Sequence, residues 1–226
     1  MKVNQALALL LSCVLVQTAA AQTPADTDKR KEDLAQFKRE FFDKDRAYAP
    51  AARREAEQKL GEIEKSLASI GQTEFELALA RVTALADNGH TTSFAAPRSR
   101  RYERVDVRLT PFGEDFYVLR VKAERAENAD LLGARLTSID GVPINALRPI
   151  YRSLSGGTPA WRDRSAPFFL ESPPQLRALG VGVGKGTAAP VYGFVTLEGK
   201  TVERTFSVSP AGADRVGGNA TRWMFP

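Results

Sequence analysis

Thiols and imidazoles are almost missing from this sequence, which has one cysteine, Cys13, and one histidine, His90, among 226 residues. Cys13 lies in an N-terminal segment, MKVNQALALLLSCVLVQTAAA, with Lys2, an apolar run from Ala6 to Val16 and small residues ending in Ala19-Ala20-Ala21. That is the layout of a secretory signal peptide, cleaved after Ala21. The apolar run is far shorter than the roughly 20 residues a membrane span needs, and no other long apolar run follows, so no stable membrane span is expected. A lipobox-like Leu10-Leu11-Ser12-Cys13 offers a second reading, lipidation of Cys13, against which stands the better small-residue site further on. Removal of residues 1–21 takes away the only thiol. A disulfide framework, a cysteine nucleophile and cysteine-based metal sites are thereby excluded from the exported chain. With one histidine and no aspartate-rich loop of calcium-site spacing, no metal and no cofactor is expected.

Charge of one sign is also in short supply. Net charge is +5, of which Lys2 contributes one, and this surplus is compatible with acidic surfaces without requiring them. Arg98, Arg100, Arg101, Arg104 and Arg108 cluster around Tyr102, a combination that can hold phosphate and stack a base. Glu103 and Asp106 dilute the cluster, its spacing fits a solvated strand face, and an exported protein rarely meets nucleic acid; no nucleic-acid partner is expected. The glycine-rich GVGVGKGT, Gly180 to Thr187, fails as a phosphate loop. Lys185 is followed by Gly186, and Leu179 stands where the first glycine belongs. Trp161 and Phe168-Phe169-Leu170, in a Gly/Pro-rich stretch, read as residues sealing a loop onto the core or walling a pocket.

What is present is a change of hydrophobic period. Gln22 to Lys31 reads as a polar lead-in. Leu34, Phe37 and Phe41, then Ala56, Leu60, Ile63 and Leu67, then Phe75, Leu79, Val82 and Ala86 recur at helical spacing, giving three helices over roughly residues 29–88. Tyr48-Ala49-Pro50 separates the first two. Thr73 and Glu76 have the capping-box spacing, and Asp87-Asn88-Gly89 supplies residues that tolerate the left-handed end of a helix. After Pro97 the period becomes two: Tyr102, Val105, Val107 and Leu109, a Pro111-Phe112-Gly113 turn, then Phe116, Val118 and Val121. Asp140-Gly141 marks a further turn. Asn145 is placed to cap a short helix through Leu147 and Ile150, another helix is expected near Pro174 to Leu179, and a hairpin turns about Glu198-Gly199-Lys200. Ala211 to Pro226 shows no period. Helices first and strands afterwards predict an α+β fold: a helical module over 22–98, a mainly antiparallel β module over 99–210, and a tail over 211–226.

Leu132-Gly133, Leu136, Ile139-Asp140-Gly141 and Ile144 resemble the Leu-Gly-x-x-Leu-x-x-Ile-Asp-Gly-x-x-Ile pattern of PDZ domains. Together with Leu85-Ala86-Asp87-Asn88-Gly89-His90-Thr91, the chain resembles the front half of the tail-specific, or C-terminal-processing, serine peptidases, including relatives of the tricorn core. The resemblance spans about residues 40 to 210. It implies a serine-type endopeptidase acting on unfolded polypeptide, with His90 as general base toward a serine carried by a core that would lie beyond Pro226. Ser153, Ser155, Ser165 and Ser172 match no nucleophile motif, and Ser93, three positions from His90, has no evident acid partner. Pro111, Phe112 and Gly113 are candidates for the loop that would bind a peptide end. The other reading is a non-catalytic PDZ-like peptide-binding or adaptor protein of the bacterial cell envelope, adding an extended peptide to a sheet edge. The oligomeric state is not legible. Export should yield a chain beginning at Gln22, read by N-terminal sequencing; a lipidated chain beginning at Cys13 is the outcome that overturns cleavage after Ala21.

Overall fold

The computed structural model describes residues 23–93, 101–182, 189–211 and 223–226. It is an α+β protein whose three long helices precede a mainly antiparallel sheet. The polar lead-in turns out to be helical. α1 (Pro24–Phe37) starts at a capping box in which Thr23 and Asp26 satisfy each other's backbone amides, with Pro24 at the first helical position. A single π turn, Lys38–Phe42, ends it. α2 (Pro50–Ser66) buries Ala56, Leu60 and Ile63, and α3 (Gln72–Ala84) buries Phe75, Leu79 and Val82 against them and Leu34. The expected capping box of α3 is not formed. Gly71 is the cap residue and carries no side-chain bond. Glu76 is instead buried and accepts from Tyr102 Oη at 2.8 Å and Gln72 Nε2 at 2.9 Å, because burial in α3 leaves its carboxylate needing donors.

The main sheet runs β2-β3-β4-β6-β7. β2 (Val107–Phe112) and β3 (Asp115–Lys122) form a hairpin closed by Gly113-Glu114, and Gly113, at φ 61°, suits the first central position of its two-residue turn. β4 (Arg135–Ile139) and β5 (Val142–Pro143) meet through Asp140-Gly141, both with positive φ. β6 (Val191–Val195) and β7 (Thr201–Thr205) form the last hairpin. Beside it, β1 (Arg104–Val105) pairs with β8 (Val208–Ser209), and β9 (Trp223–Met224) pairs with β3, so the end of the expected tail is built into the sheet. Four short helices cover one face: α4 (Ile144–Arg152), α5 (Pro159–Ser165), α6 (Pro167–Leu170) and α7 (Pro173–Ala178). The cap of α4 is Pro143 with no side-chain bond, so Asn145 does not serve as one. Leu147, Tyr151, Leu170 and Leu176 pack on Leu109, Phe116, Leu136 and Tyr192 of the sheet.

α3 is apolar on a second side. Leu77 and Ala80 pack against Leu154 and Phe169, joining the long helices to the helical cover of the sheet. The arginine cluster also departs from a solvated strand face. Arg98 and Arg100 lie outside the described residues and Arg101 is exposed, but Arg104 and Arg108 turn inward onto Glu171, whose side chain is fully buried. Arg108 Nη1 stands 3.4 Å from Glu171 Oε2, Arg104 donates to the same oxygen, and the Leu109 amide donates to Oε1 at 2.7 Å. The Glu171 carbonyl accepts from the Val105 amide at 2.8 Å. Burial pushes the Glu171 carboxyl up, and the two guanidiniums and the Leu109 amide pull it back. Glu171→Ala removes the buried carboxylate that Arg104 and Arg108 share and should lower unfolding free energy by about 3–5 kcal/mol in urea titration. The exposed Glu62→Ala should change it by about 0.5 kcal/mol or less.

Candidate functional site around His90

α3 ends at Ala84 with Leu85 as its cap, and the chain then turns through Asp87, whose φ of 50° puts a non-glycine residue in the left-handed region. This is the helix-end role expected of Asp87-Asn88-Gly89, taken by its first residue. Asn88 Oδ1 then accepts from the His90 amide at 2.9 Å, and the Thr91 amide donates to the Asn88 carbonyl at 3.0 Å. Such a side-chain-closed turn fixes the backbone that carries the imidazole.

A second segment holds the turn from outside. Asp87 Oδ1 accepts from the Gly157 amide at 3.1 Å and from Arg162 Nη2 at 2.7 Å. Arg162 also donates to the Gly157 carbonyl at 2.9 Å and the Arg152 carbonyl at 3.1 Å, while Arg152 grips Asp163 through two bonds of 2.7 and 2.5 Å. The Arg162 bond, then the Gly157 amide, hold the Asp87 carboxyl below its usual range. Arg152 does the same for Asp163.

Glycine permits this approach. A Cβ on Gly156 would stand 2.6 Å from the Asn88 amide nitrogen; Gly157 has φ 93°, and its Cβ would stand 3.0 Å from the Gly89 nitrogen. α5 begins one residue later, with Thr158 Oγ1 accepting from the Trp161 amide and Pro159 in first position. That start aims Trp161 back over the turn. Its indole lies 6.3 Å from the His90 ring, centroid to centroid, at an interplanar angle of 35°.

The result is an exposed imidazole on a doubly anchored turn. Among the described residues, no group hydrogen-bonds its ring nitrogens, and the nearest carboxylate in sequence, Asp87, is engaged by Arg162 and Gly157. Ser93 Oγ is enclosed without a hydrogen-bond partner, so it is not bonded to His90. Ser153 Oγ donates to the Ile150 carbonyl and Ser165 Oγ to the Trp161 carbonyl; Ser155 and Ser172 are buried. The residues therefore present a proton acceptor without a local nucleophile. No cluster of three or more His, Cys, Asp or Glu that could hold a metal ion occurs among the described residues.

Pro111 and Phe112 end β2 and Gly113 opens its turn; Phe112 is 78 % exposed, its ring edge-on to Tyr117 at 6.3 Å. No hydrogen bond, ion pair or ring contact joins these three to His90. Phe169 and Leu170 are buried as core, while Trp161 is 43 % exposed. Sequence reasoning missed Arg162, Gly156 and Gly157 as anchors of the turn. The Gly-Gly-Thr-Pro stretch before Trp161 was the local signal, a close approach followed by a capped helix start.

No protein-family model matches the chain, and no curated protein matches it. Among solved structures, it is similar to mature CPAF complexed with lactacystin, at 18 % identity and a TM-score of 0.52 over 82 % of this chain. A second structure of mature CPAF gives 19 % identity and a TM-score of 0.46 over 85 % of this chain. CPAF is a chlamydial serine protease. The chain spans 36 % of the first of these structures, and the likeness is one of fold.

One histidine gives one imidazole C2–H signal, so the contact with Trp161 is directly observable by proton NMR. Asp87→Ala and Trp161→Ala should each move that signal toward the position of a free histidine. Asp87→Ala should cost about 1–2 kcal/mol of stability, since its ion pair is largely solvated and alanine tolerates the left-handed conformation less well than aspartate. Because the Asp87 carboxyl is lowered, its bond is present above the ordinary aspartate range and is lost only as pH falls through the depressed folded value. The indole contact should therefore persist from about pH 8 to about pH 5. A signal that ignores both substitutions would show that the turn is not held this way.

Proposed function

We propose that this chain is the front part of an exported serine-type peptidase of the tail-specific or tricorn-like kind. Residues 22–98 would form its helical module and 99–210 its PDZ-like module. Its role is to receive unfolded polypeptide and to present His90 as general base to a serine supplied by a segment outside these residues. The observation that carries this reading is the exposed His90 imidazole, carried on a turn held by Asp87, Arg162 and Gly157, with no serine among the described residues bonded to it. A base that must meet a hydroxyl from elsewhere has to be exposed and stiff, because attack needs the two groups within about 3 Å in a fixed orientation. The likeness in fold to part of a serine protease supports the same reading. Export follows from the signal-like residues 1–21, with the periplasm or the medium as destination.

The absence of a serine bonded to His90 among the described residues also favours a second reading, a non-catalytic envelope protein that binds extended peptides. The two separate in one experiment. The chain alone should neither be labelled by a fluorophosphonate probe nor cleave carboxymethylated casein. Expressed through the reading frame after the Pro226 codon, it should do both, and His90→Ala should reduce turnover by about a hundredfold or more. Labelling of a serine within residues 22–226, or full turnover by the His90→Ala protein, would sink the peptidase reading. A frame without serine-dependent activity would leave the adaptor.

A further inference from the structure

The two edges of the main sheet are of opposite kind. In β2, Leu109 and Pro111 face away from β3 along the backbone. The Leu109 amide is taken by Glu171 Oε1 at 2.7 Å, and Pro111 has no amide hydrogen, so this stretch offers an incoming strand no donor. In the β6–β7 hairpin, the Thr196 amide donates to the Lys200 carbonyl at 2.9 Å, and the pairs Phe194 with Val202 and Tyr192 with Arg204 continue that alternation. Thr201, Glu203 and Thr205 therefore turn their backbone groups outward, two residues apart. Among the described residues nothing accepts from their three amides, and all three side chains are exposed. Among the described residues the Glu203 carbonyl accepts only from Arg204 Nη1, at 3.0 Å, a single donor for an oxygen with two lone pairs.

Charge decides the occupant. Arg204 is already paired with Asp130 at 2.8 Å, whereas the Glu203 carboxylate has no ion-pair partner among the described residues. A second copy of β7 matched antiparallel over all three outward positions would set Glu203 opposite Glu203, which is repulsive. We propose that β7 is a strand-addition site for an extended, basic polypeptide segment, bound antiparallel with a lysine or arginine opposite Glu203. The site goes beyond the peptidase reading and does not depend on His90.

The test uses two fluorescein-labelled peptides, Gly-Thr-Val-Lys-Val-Thr-Gly and its counterpart with Glu in place of Lys, titrated against the purified chain by fluorescence anisotropy. The lysine peptide should bind roughly fivefold more tightly, and Glu203→Lys should reverse the preference. Glu203→Pro removes the middle outward donor while leaving the β6–β7 ladder intact, and should weaken binding about tenfold or more at an unchanged unfolding midpoint. Amide shifts on binding should centre on residues 201–205. Equal affinity for the two peptides, no binding at about 1 mM, shifts centred on 107–112, or a Glu203-dependent dimer of the chain would each overturn the proposal. Failure at β7 would leave the serine-labelling result untouched, so the two conclusions stand or fall separately.

Discussion

The carboxylate of Glu171 is the point on which the rest of the arrangement leans. A fully buried carboxylate survives only when its oxygens are matched by donors, and here Arg104, Arg108 and the Leu109 amide supply them. Meeting that demand ties the end of α6 to β1 and β2 at once. It also brings two guanidiniums inside the protein, so neither partner can be spared. Phe169, two residues before Glu171, is thereby held against Leu77 and Ala80 of α3. α3 ends at the turn that carries His90. The end of α3, from which the His90 turn departs, is thus tied to the sheet by a short chain of enclosed contacts running from Glu171 through Phe169.

The same carboxylate shapes the sheet edge. An exposed strand edge invites pairing by any extended chain, and proteins blunt such edges with proline, charge or a covering group. β2 is closed by Pro111 and by Glu171, which reaches it from the helical cover. Among the described residues β7 has neither device, and the charge on Glu203 is what disfavours self-association. Closure of the β2 edge at Leu109 is therefore a consequence of where one buried acid found its donors.

Much of this was legible in local patterns. The stripes of Leu60 and Ile63 and of Phe75, Leu79 and Val82 face a common core as their helical spacing predicts, and Asp140-Gly141 and Glu198-Gly199-Lys200 sit in tight turns. Asp87 takes the left-handed conformation its residue type allows. What escaped were relations between distant residues. Nothing near Arg104 or Arg108 marks Glu171 as their partner, so an arginine cluster on an alternating strand reads as solvated. Leu77 and Ala80 lie off the stripe of Phe75, Leu79, Val82 and Ala86, and nothing beside them marks Leu154 and Phe169 as their partners. Glu76 matched a capping box by spacing, but burial gave its carboxylate a stronger claim on Tyr102. Thr23 and Asp26 formed the real box in a segment whose polarity suggested a loose lead-in. The short helices α5, α6 and α7 each open on a proline, a signal that a Gly/Pro-rich composition conceals.

The turn at His90 shows why rigidity here must come from outside the turn itself. An exposed loop of polar residues has little apolar surface to bury, and fixing each backbone residue costs about 1–2 kcal/mol. Asn88 closes the turn locally, but a single side-chain bond of about 1 kcal/mol cannot offset that cost over several residues. The balance comes from the facing loop. Gly156 and Gly157 let backbone approach backbone, Arg162 binds Asp87 while donating to two carbonyls of its own segment, and Trp161 covers Gly89. Because that loop is itself anchored through Arg152 and Asp163 to α4, the turn that carries His90 inherits its position from the cover of the sheet. A change in that cover would therefore be felt at His90 without any change in the turn's own residues.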